Sequence, residues 1–477
     1  MANEMGITVK KEENMPEWYS QVVVKSELAD YSVVRGCAVI RPLGYSLWQS
    51  IVDYFNQRLN KLNVQNAYFP LFIPESFFHR EAQHVEGFAP EVAWISTKSD
   101  NEERLAIRPT SETIMYDSYS KWIRSHRDLP LRINQWANIV RWEISDVKIF
   151  LRSREFLWQE GHCVYSTEKE CEKETKMMLK EYAKMSEELL AIPAITGIKS
   201  KKETFPGAIR TYTFESFMPD GKALQSGTSH NLGQGFAKAF NISFHGEDGE
   251  EHTPWQSSWG FSTRLLGALV MVHGDDKGLV LPPKMAPIKA VIVPIAQDKS
   301  PEVMKKAKEI HKKLKKFNAH LDDRADKSPG FKFNEWELKG VPLRIELGPK
   351  DLEKQSCVVV SRFNGQKEIV PLNDLVAFVD KKLKQIQKEM LEKARKKVEE
   401  RKTKATTYDE LKNAIEEKKL VLAHHCGNKE CEEQIKTDTG GATTRCRPTG
   451  EDKPEPNSKC VCCGEKAKYK IYFAKNY

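Results

Sequence analysis

No stretch of this chain strings together the ~18 apolar residues that a membrane-crossing helix needs, so no membrane attachment is expected. Its first residues, MANEMGITVKKEEN, lack the apolar middle of a secretory signal, which leads to the expectation of a cytoplasmic protein. Disulfides are scarce in that compartment. The 10 cysteines are therefore expected to be reduced, and a cluster of them reads as a metal site before a disulfide frame. No sign of charge dominates either. A net charge of +8 suits a polyanionic partner without demanding one. What is present is an ordinary globular composition, 40% apolar and 30% charged. At 477 residues the chain supplies two or three domains.

The stretch richest in chemistry is Gln135 to His162, QWANIVRWEISDVKIFLRSREFLWQEGH. Val140 to Glu143 reads as a strand end that puts Arg141 and Glu143 on one face. Ile144 to Leu151 reads as a loop and Arg152 to Trp158 as the returning strand. Guanidinium groups on both sides of a hairpin loop can grip a polyphosphate, because their forks match phosphate oxygens. Glu143 can orient Arg141, hold a metal or bond an adenine amino group. Without its context the same stretch reads equally as a surface hairpin with salt bridges.

Upstream, Trp18 to Ala29 is predicted to be a helix with Trp18, Val22, Leu28 and Ala29 in the core. Arg41-Pro42 opens another, whose stripe is Leu43, Leu47, Ile51, Phe55, Leu59 and Leu62. Asn66 to Ile73 reads as a strand, and Pro70 within it marks an edge or an interface. In LAIRPTSETIMY, Pro109 and Thr110 end a strand and Ser111-Glu112 opens a helix with free N–H groups. Cys171 to Leu190 reads as a mixed-charge helix with a solvated outer face. Thr211 to Phe214 and Ala223 to Gln225 are strands. Gln225 to His230, QSGTSH, reads as a turn whose small residues let backbone approach a ligand. Trp255 to Gly267 is a strand leading into a helix, with Arg264 at the turn. The helix dipole disfavours a cation there, so a bound phosphate explains Arg264 better than routine placement.

Beyond Pro283, strands at Ile288 to Val293, Ala319 to Leu321, Val341 to Leu347 and Cys357 to Ser361 alternate with a helical stripe over Val303, Ala307, Ile310, Leu314 and Phe317. That order gives an α/β layer with some parallel pairing. Arg344, Glu346 and Lys350 read as guanine-edge contacts or as a solvated rim. A charged helix, Phe378 to Lys404, and a shorter one, Tyr408 to Leu420, lead to the cysteines. Cys426 and Cys431 pair across a loop with Cys460 and Cys463. Four thiolates make a closed, structural zinc site. Cys462 is the alternative to Cys463, and Cys446 stands apart.

RWE, SREFLWQEGH, RPTSE and GTSH together resemble prolyl-tRNA synthetase, a class IIa aminoacyl-tRNA synthetase, in its archaeal and eukaryotic type. The resemblance runs from about Trp18 to Tyr477. It implies an α+β catalytic domain on an antiparallel sheet over 17–284, with motifs 1, 2 and 3. An α/β anticodon-binding domain over 285–400 and a small α+β zinc-binding C-terminal domain over 405–477 would follow. The final aromatic, Tyr477, would tuck toward the active site, and the motif 1 helix, strand and Pro70 would form a homodimer interface. The implied activity is ATP-dependent attachment of L-proline to tRNA(Pro) through a prolyl-adenylate, with Mg²⁺ on the ATP and a structural Zn²⁺.

By the same resemblance, Arg141 meets the α-phosphate and the substrate carboxylate. Arg152 and Arg264 hold the β- and γ-phosphates, Glu143 faces adenine, and Gln225 and Thr228 support the nucleotide. Thr110 and Glu112 clasp the proline nitrogen, which keeps two N–H bonds when protonated. Phe88, Trp158, Phe205 and His230 line the ring, although for Trp158 and Phe205 ordinary core packing is the stronger reading without the resemblance. A hydrophobic slot rejects a smaller analogue by only about 10–200-fold per methylene, so alanine and cysteine are expected intruders. Only His162 to Trp255 separates motifs 2 and 3, too short for the editing insert of bacterial-type members, and no editing in cis is expected. Another class IIa synthetase, such as threonyl, would lack the RPTSE, WQEGH and GTSH combination. A non-catalytic tRNA-binding paralogue would be expected to lose Arg141 or Arg264.

Overall fold

Six strands lie side by side in an antiparallel sheet, in the order Leu131–Val140, Glu155–Tyr165, Trp255–Ser262, Lys222–Gly233, Arg210–Phe217 and Ile195–Ile198. The structure is a computed structural model that describes residues 6–78, 91–96, 102–296 and 300–477. Side chains alternate across a strand, and this sorts Trp136, Cys163, Tyr165, Phe214, Trp259 and Phe261 to one face. The helices Pro42–Lys61 and Glu168–Glu188 cover that face. Phe55 and Tyr182, one from each helix, meet the Phe261 ring edge-on at 5.2 and 5.3 Å. Gly161 makes room for the buried Trp259, since a Cβ there would fall 2.2 Å from the indole. The opposite face carries the polar residues and is the floor of a cleft.

Several elements depart from the sequence reading. The first helix is Met15–Lys25, not Trp18 to Ala29. Glu27 takes a left-handed φ of 65°, which ends the helix and turns Ala29 into the strand Ala29–Tyr31. All four predicted core residues are nevertheless buried. The strand read over Asn66 to Ile73 is two pieces, Gln65–Asn66 and Phe72–Pro74, which pair with different partners. Pro70 lies in neither. The carbonyls of Phe69 and Pro70 accept from buried Arg108 Nη1, at 2.8 and 3.4 Å, instead of from a ladder. The strand before the hairpin stops at Val140, so Arg141 to Glu143 are not a strand end. Arg141 N–H still reaches Arg154 O at 2.8 Å, and a turn then closes from Ile144 N–H to Arg141 O. The return begins at Glu155, not Arg152, because Arg152 N–H bonds Lys148 O within the loop.

Gln225 to His230 is not a turn but the middle of the strand Lys222–Gly233, with a bulge after Gln225. Its small residues serve close packing between two neighbouring strands: a Cβ at Gly227 would lie 2.5 Å from the Phe214 ring. The helix Glu168–Glu188 is likewise more than an outer face. It opens with a Thr167–Glu170 capping box and buries Cys171, Thr175, Met178, Tyr182 and Met185 against the sheet.

Glu174 shares that buried side. Among the described residues its carboxylate has only the Cys163 thiol and the Trp259 indole beside it, and Arg132 approaches only to 3.8 Å. Burial pushes its pKa up from 4.5 to about 7. The folded chain thus holds this proton more tightly than the unfolded one. The resulting stability is complete below about pH 4.5 and is lost as pH rises through about 7. A shift of that size corresponds to about 3 kcal/mol. Glu174→Gln should remove this dependence, so its unfolding midpoint should gain on the wild type between about pH 5 and 8. Parallel curves for the two proteins would contradict the assignment.

The next unit is a five-stranded sheet ordered His320–Leu321, Ala290–Pro294, Leu343–Leu347, Ser356–Ser361 and Lys367–Pro371. The first three strands run parallel and the last two antiparallel. The helices Pro301–Leu314 and Leu375–Glu399 pack on it through Val303, Ala307, Ile310 and Leu314, and through Val379, Leu383, Ile386 and Met390. The second helix stops short of Lys404 because Lys402–Ala405 is already a strand, and the following helix ends at Glu416 rather than Leu420, where the strand Leu420–His425 begins. Arg344 and Glu346 pair with each other at 2.8 Å, while Lys350 is exposed.

The C-terminal strands extend the first sheet. Tyr469–Asn476 pairs parallel with Lys222 and Ala223, and Arg447–Pro448 pairs with Gly197 and Ile198. Among the described residues, no helix is long and apolar enough to cross a membrane.

Candidate functional site

Strand register builds the cleft floor row by row. Gln135, Glu160, Gly260, Thr228 and Thr213 stand in one cross-strand row, and Ile133, His162, Ser258, His230 and Thr211 in the next. Trp158 lies between Ala137 and Ser262, and Gln225 lies opposite Glu215. Neighbouring strands are about 4.8 Å apart, so each row spans one small-molecule site. A Cβ at Gly260, in the first row, would lie 2.9 Å from the Gln159 carbonyl of the neighbouring strand. Trp158, Gln225, Thr228 and His230, far apart in the chain, therefore share one surface.

At one end sits the start of the helix Glu112–Trp122. Thr110 hydrogen-bonds the Glu112 carboxylate, and both are buried. Behind them, Glu160 accepts from Ser111 Oγ at 2.5 Å and Gln135 Nε2 at 2.9 Å, and its other oxygen meets His162 Nε2 at 3.1 Å. Tyr116 holds His162 Nδ1 at 3.0 Å. Burial opposes charge on His162, yet bonding to Glu160 and the nearby Glu112 raise its pKa. Glu112, Glu160 and His162 bring ligating atoms within 4.8 Å of one another, an acidic nook suited to a small cation. The sequence reading missed Ser111, Gln135, Glu160 and His162. The alternation of Trp158, Glu160 and His162 in WQEGH was the available signal.

Beside that nook, His230 packs on Phe205 with ring centroids 4.7 Å apart, and its Nδ1 bonds Thr211 Oγ1 at 2.9 Å. Burial, then His162 and Lys199, push its pKa down to about 3, so it presents a neutral ring. Trp158 is half-buried on the cleft face, 6.3 Å from Phe156, and its indole N–H has no partner among the described residues. Trp158 and Phe205 thus stand at the site. Phe88 lies outside the described residues.

At the other end, Arg264 opens the helix Arg264–His273. Its Nε donates to Leu151 O in the hairpin loop at 3.3 Å, and its Nη1 to Gln225 O at 3.2 Å. Burial lowers its pKa to about 10; Arg141 and Arg152 lower it too, and Glu215 raises it. Arg141 reaches solvent over the Phe156 ring, at 5.6 Å. The surrounding protein lowers its pKa, and Glu143, Glu112 and Glu160 counter that. Arg152 and Glu143 are exposed, while Gln225 and Thr228 are half-buried. Three guanidinium groups thus converge where one anion would feel them all. Tyr477 docks beside them: its hydroxyl meets Asp220 at 2.5 Å and Lys148 Nζ lies 4.8 Å over its ring.

The cysteines gather away from the cleft. Cys426 Sγ lies 3.6 Å from Cys431 Sγ and 3.7 Å from Cys463 Sγ, and Cys460 belongs to the same cluster. With Zn–S bonds of about 2.3 Å, a tetrahedron has S···S edges of about 3.8 Å, so these thiols fit a zinc ion. His425 also brings a ring nitrogen within 4.8 Å of Cys426, Cys431 and Cys460, and its Nε2 is buried without a partner among the described residues. Cys462 is half-buried beside them, and Cys446 is buried elsewhere.

Known proteins match along the whole chain. The tRNA synthetase class II core domain (G, H, P, S and T) matches residues 94–273, an anticodon binding domain 289–382 and a prolyl-tRNA synthetase C-terminal domain 408–477. The proline–tRNA ligase of Natranaerobius thermophilus is 48% identical over 98% of this chain and 97% of its own. That of Alkaliphilus oremlandii is 49% identical over the same shares. The crystal structure of prolyl-tRNA synthetase from Cryptosporidium parvum, complexed with L-proline and AMP, superposes with a TM-score of 0.95 at 43% identity, covering 100% of this chain and 98% of that one. Its complex with halofuginone and AMPPNP gives the same score at 44% identity, over 99% of this chain and 100% of that one. With nearly half its residues shared over nearly its full length, and three successive domains of one enzyme type matched in order, the chain belongs to the prolyl-tRNA synthetases.

Proposed function

We propose that the cleft joins L-proline to ATP and then passes the prolyl group to tRNA(Pro). The observation that carries this is one surface with an acidic, apolar-lined nook at one end and three converging guanidiniums at the other. In the first step, the proline carboxylate attacks the α-phosphorus of ATP; the bond to the β-phosphate breaks and pyrophosphate leaves. The terminal ribose hydroxyl of tRNA then attacks the prolyl carbonyl and AMP leaves. No side-chain nucleophile is needed. The work is to hold two anions together and stabilise charge gathering at phosphorus.

In this reading Arg141 bridges the carboxylate and the α-phosphate, while Arg152 and Arg264 hold the β- and γ-phosphates. Glu143 faces adenine, and Gln225 and Thr228 support the nucleotide. Thr110 and Glu112 take the two N–H bonds of the protonated imino group. Glu160, clamped by Ser111, Gln135 and His162, fixes the helix start that carries Glu112. Trp158, Phe205 and His230 enclose the ring, with Phe88 the remaining candidate. Mg²⁺ would supply further charge neutralisation to the ATP phosphates. Cys426, Cys431, Cys460 and Cys463 would hold a structural Zn²⁺.

We place the enzyme in the cytoplasm, with its thiols reduced, as a homodimer. The exposed rings of Tyr68, Phe72, Trp94 and Trp122 around the motif 1 region support that interface, and a monomer in sedimentation would remove it. The stretch between motifs 2 and 3 is taken up by strands and helices of the catalytic sheet, which supports the absence of editing in cis. Proline-dependent ATP–pyrophosphate exchange tests the main reading. Exchange with threonine instead of proline would overturn the substrate, and no exchange with any amino acid would favour a tRNA-binding paralogue.

A further inference from the structure

A buried ion cluster joins the C-terminal domain to the nucleotide end of the cleft. Glu215, on the strand Arg210–Phe217, stands opposite Gln225 and faces the same side as Thr228 and His230. One carboxylate oxygen accepts from Lys199 Nζ at 2.8 Å and Thr213 Oγ1 at 3.1 Å. The other accepts only from Arg445, through Nη2 at 2.7 Å and Nε at 3.2 Å, among the described residues. All three charged side chains are at most 4% exposed. Arg445 comes from 230 residues further along the chain. Two C-terminal strands hold it: its N–H bonds Tyr472 O at 2.7 Å on the last strand, and its Nη1 donates to Thr443 Oγ1 at 3.0 Å on the strand Ala442–Thr444.

We infer that Arg445 is a positioning residue for ATP: by occupying the Glu215 carboxylate it keeps that anion from capturing Arg264. The backbone carbonyl that Arg264 Nη1 bonds belongs to Gln225, the residue paired with Glu215. Glu215 therefore lies one cross-strand step from the anchor of the phosphate-binding guanidinium. Electrostatics agree, since after burial and Arg141 the next influence on Arg264 is Glu215, opposed by Arg445. A buried carboxylate oxygen stripped of its partner is costly and takes the cation within reach. Lys199 already serves the other oxygen, so without Arg445 the freed oxygen would draw on Arg264, whose charge already feels Glu215, and pull it back from the phosphates. The C-terminal domain thus contributes a side chain on which the geometry of the nucleotide site depends, although that side chain touches no substrate.

The inference rests on the reading that Arg264 holds phosphate, and the experiment separates the two. Full-length Arg445→Met, Arg264→Ala and the double variant Arg445→Met/Glu215→Gln are compared in proline-dependent exchange. Arg445→Met should raise KM for ATP on the order of tenfold or more, the size of one lost charge-assisted contact, and leave KM for proline unchanged. Removing the freed anion in the double variant should bring KM for ATP back toward the wild type. A purely structural role would not give that rescue, because the double variant disturbs the cluster further. Unchanged KM for ATP in folded Arg445→Met, or a double variant no better than the single, overturns the inference. Should Arg445→Met not fold, Arg445→Lys keeps the charge but loses the fork. An intermediate KM for ATP then supports the inference, and an unchanged one overturns it. Unchanged KM for ATP in Arg264→Ala would instead overturn the reading of the site itself.

Discussion

Arg141→Ala should lower proline-dependent pyrophosphate exchange by about 10²–10³-fold, or about 2.7–4 kcal/mol of transition-state stabilisation, while the fold survives. Both halves follow from where the side chain lies. It lies just past the strand Leu131–Val140, reaches solvent over Phe156, and makes no side-chain hydrogen bond or salt bridge to another described residue. Little packing is lost when it is removed. Its role would be to meet the one point where carboxylate and α-phosphate come together, and no neighbouring group replaces it there. Glu143, Glu112 and Glu160 surround the position, so its loss leaves acid facing two incoming anions. Arg141→Lys should fall between the two, because an ammonium keeps the charge and loses the planar fork. Exchange at the wild-type rate in folded Arg141→Ala would take this residue out of the chemistry.

Cys426→Ser should abolish zinc binding and loosen the C-terminal domain, with adenylate formation partly retained. Structural zinc sites contribute roughly 10–16 kcal/mol of apparent binding free energy in small domains, as much as a whole domain's net stability. Cys426 directly follows the strand Leu420–His425, which pairs with Tyr469–Asn476, and that strand in turn pairs with Lys222 and Ala223. Loss of the metal is therefore transmitted toward the catalytic sheet, while the strands bearing Arg141, Glu160 and Arg264 keep their own pairing. Metal analysis of the purified variant reads the first effect, and exchange together with thermal unfolding reads the second. A full zinc complement in Cys426→Ser would reject the ligand set. Cys462→Ser and Cys463→Ser, compared in the same way, identify the fourth thiolate.

The local chemistry was legible from residue order. Arg141 with Glu143, Thr110 with Glu112, and the two cysteine groups are close in sequence, and their spacing announces them. The helical stripes at Leu47, Ile51, Phe55 and Leu59, and at Val303, Ala307, Ile310 and Leu314, are buried as their period requires. Boundaries were read less well, because they depend on single backbone events. Glu27 in a left-handed conformation, Arg108 taking the carbonyls around Pro70, and a bulge after Gln225 leave little trace in composition.

Residue identity by itself determined which charges, rings and thiols exist and how each short segment alternates between inside and outside. The tertiary structure alone decided who stands beside whom. Glu160 next to Ser111, Thr228 across Gly260 from Glu160, and Arg445 on Glu215 are neighbours because strands far apart in the chain lie side by side at a particular register. A one-residue slip of any strand would turn its cleft residues to the opposite face, and that register is set by the packing of the whole sheet on its helices.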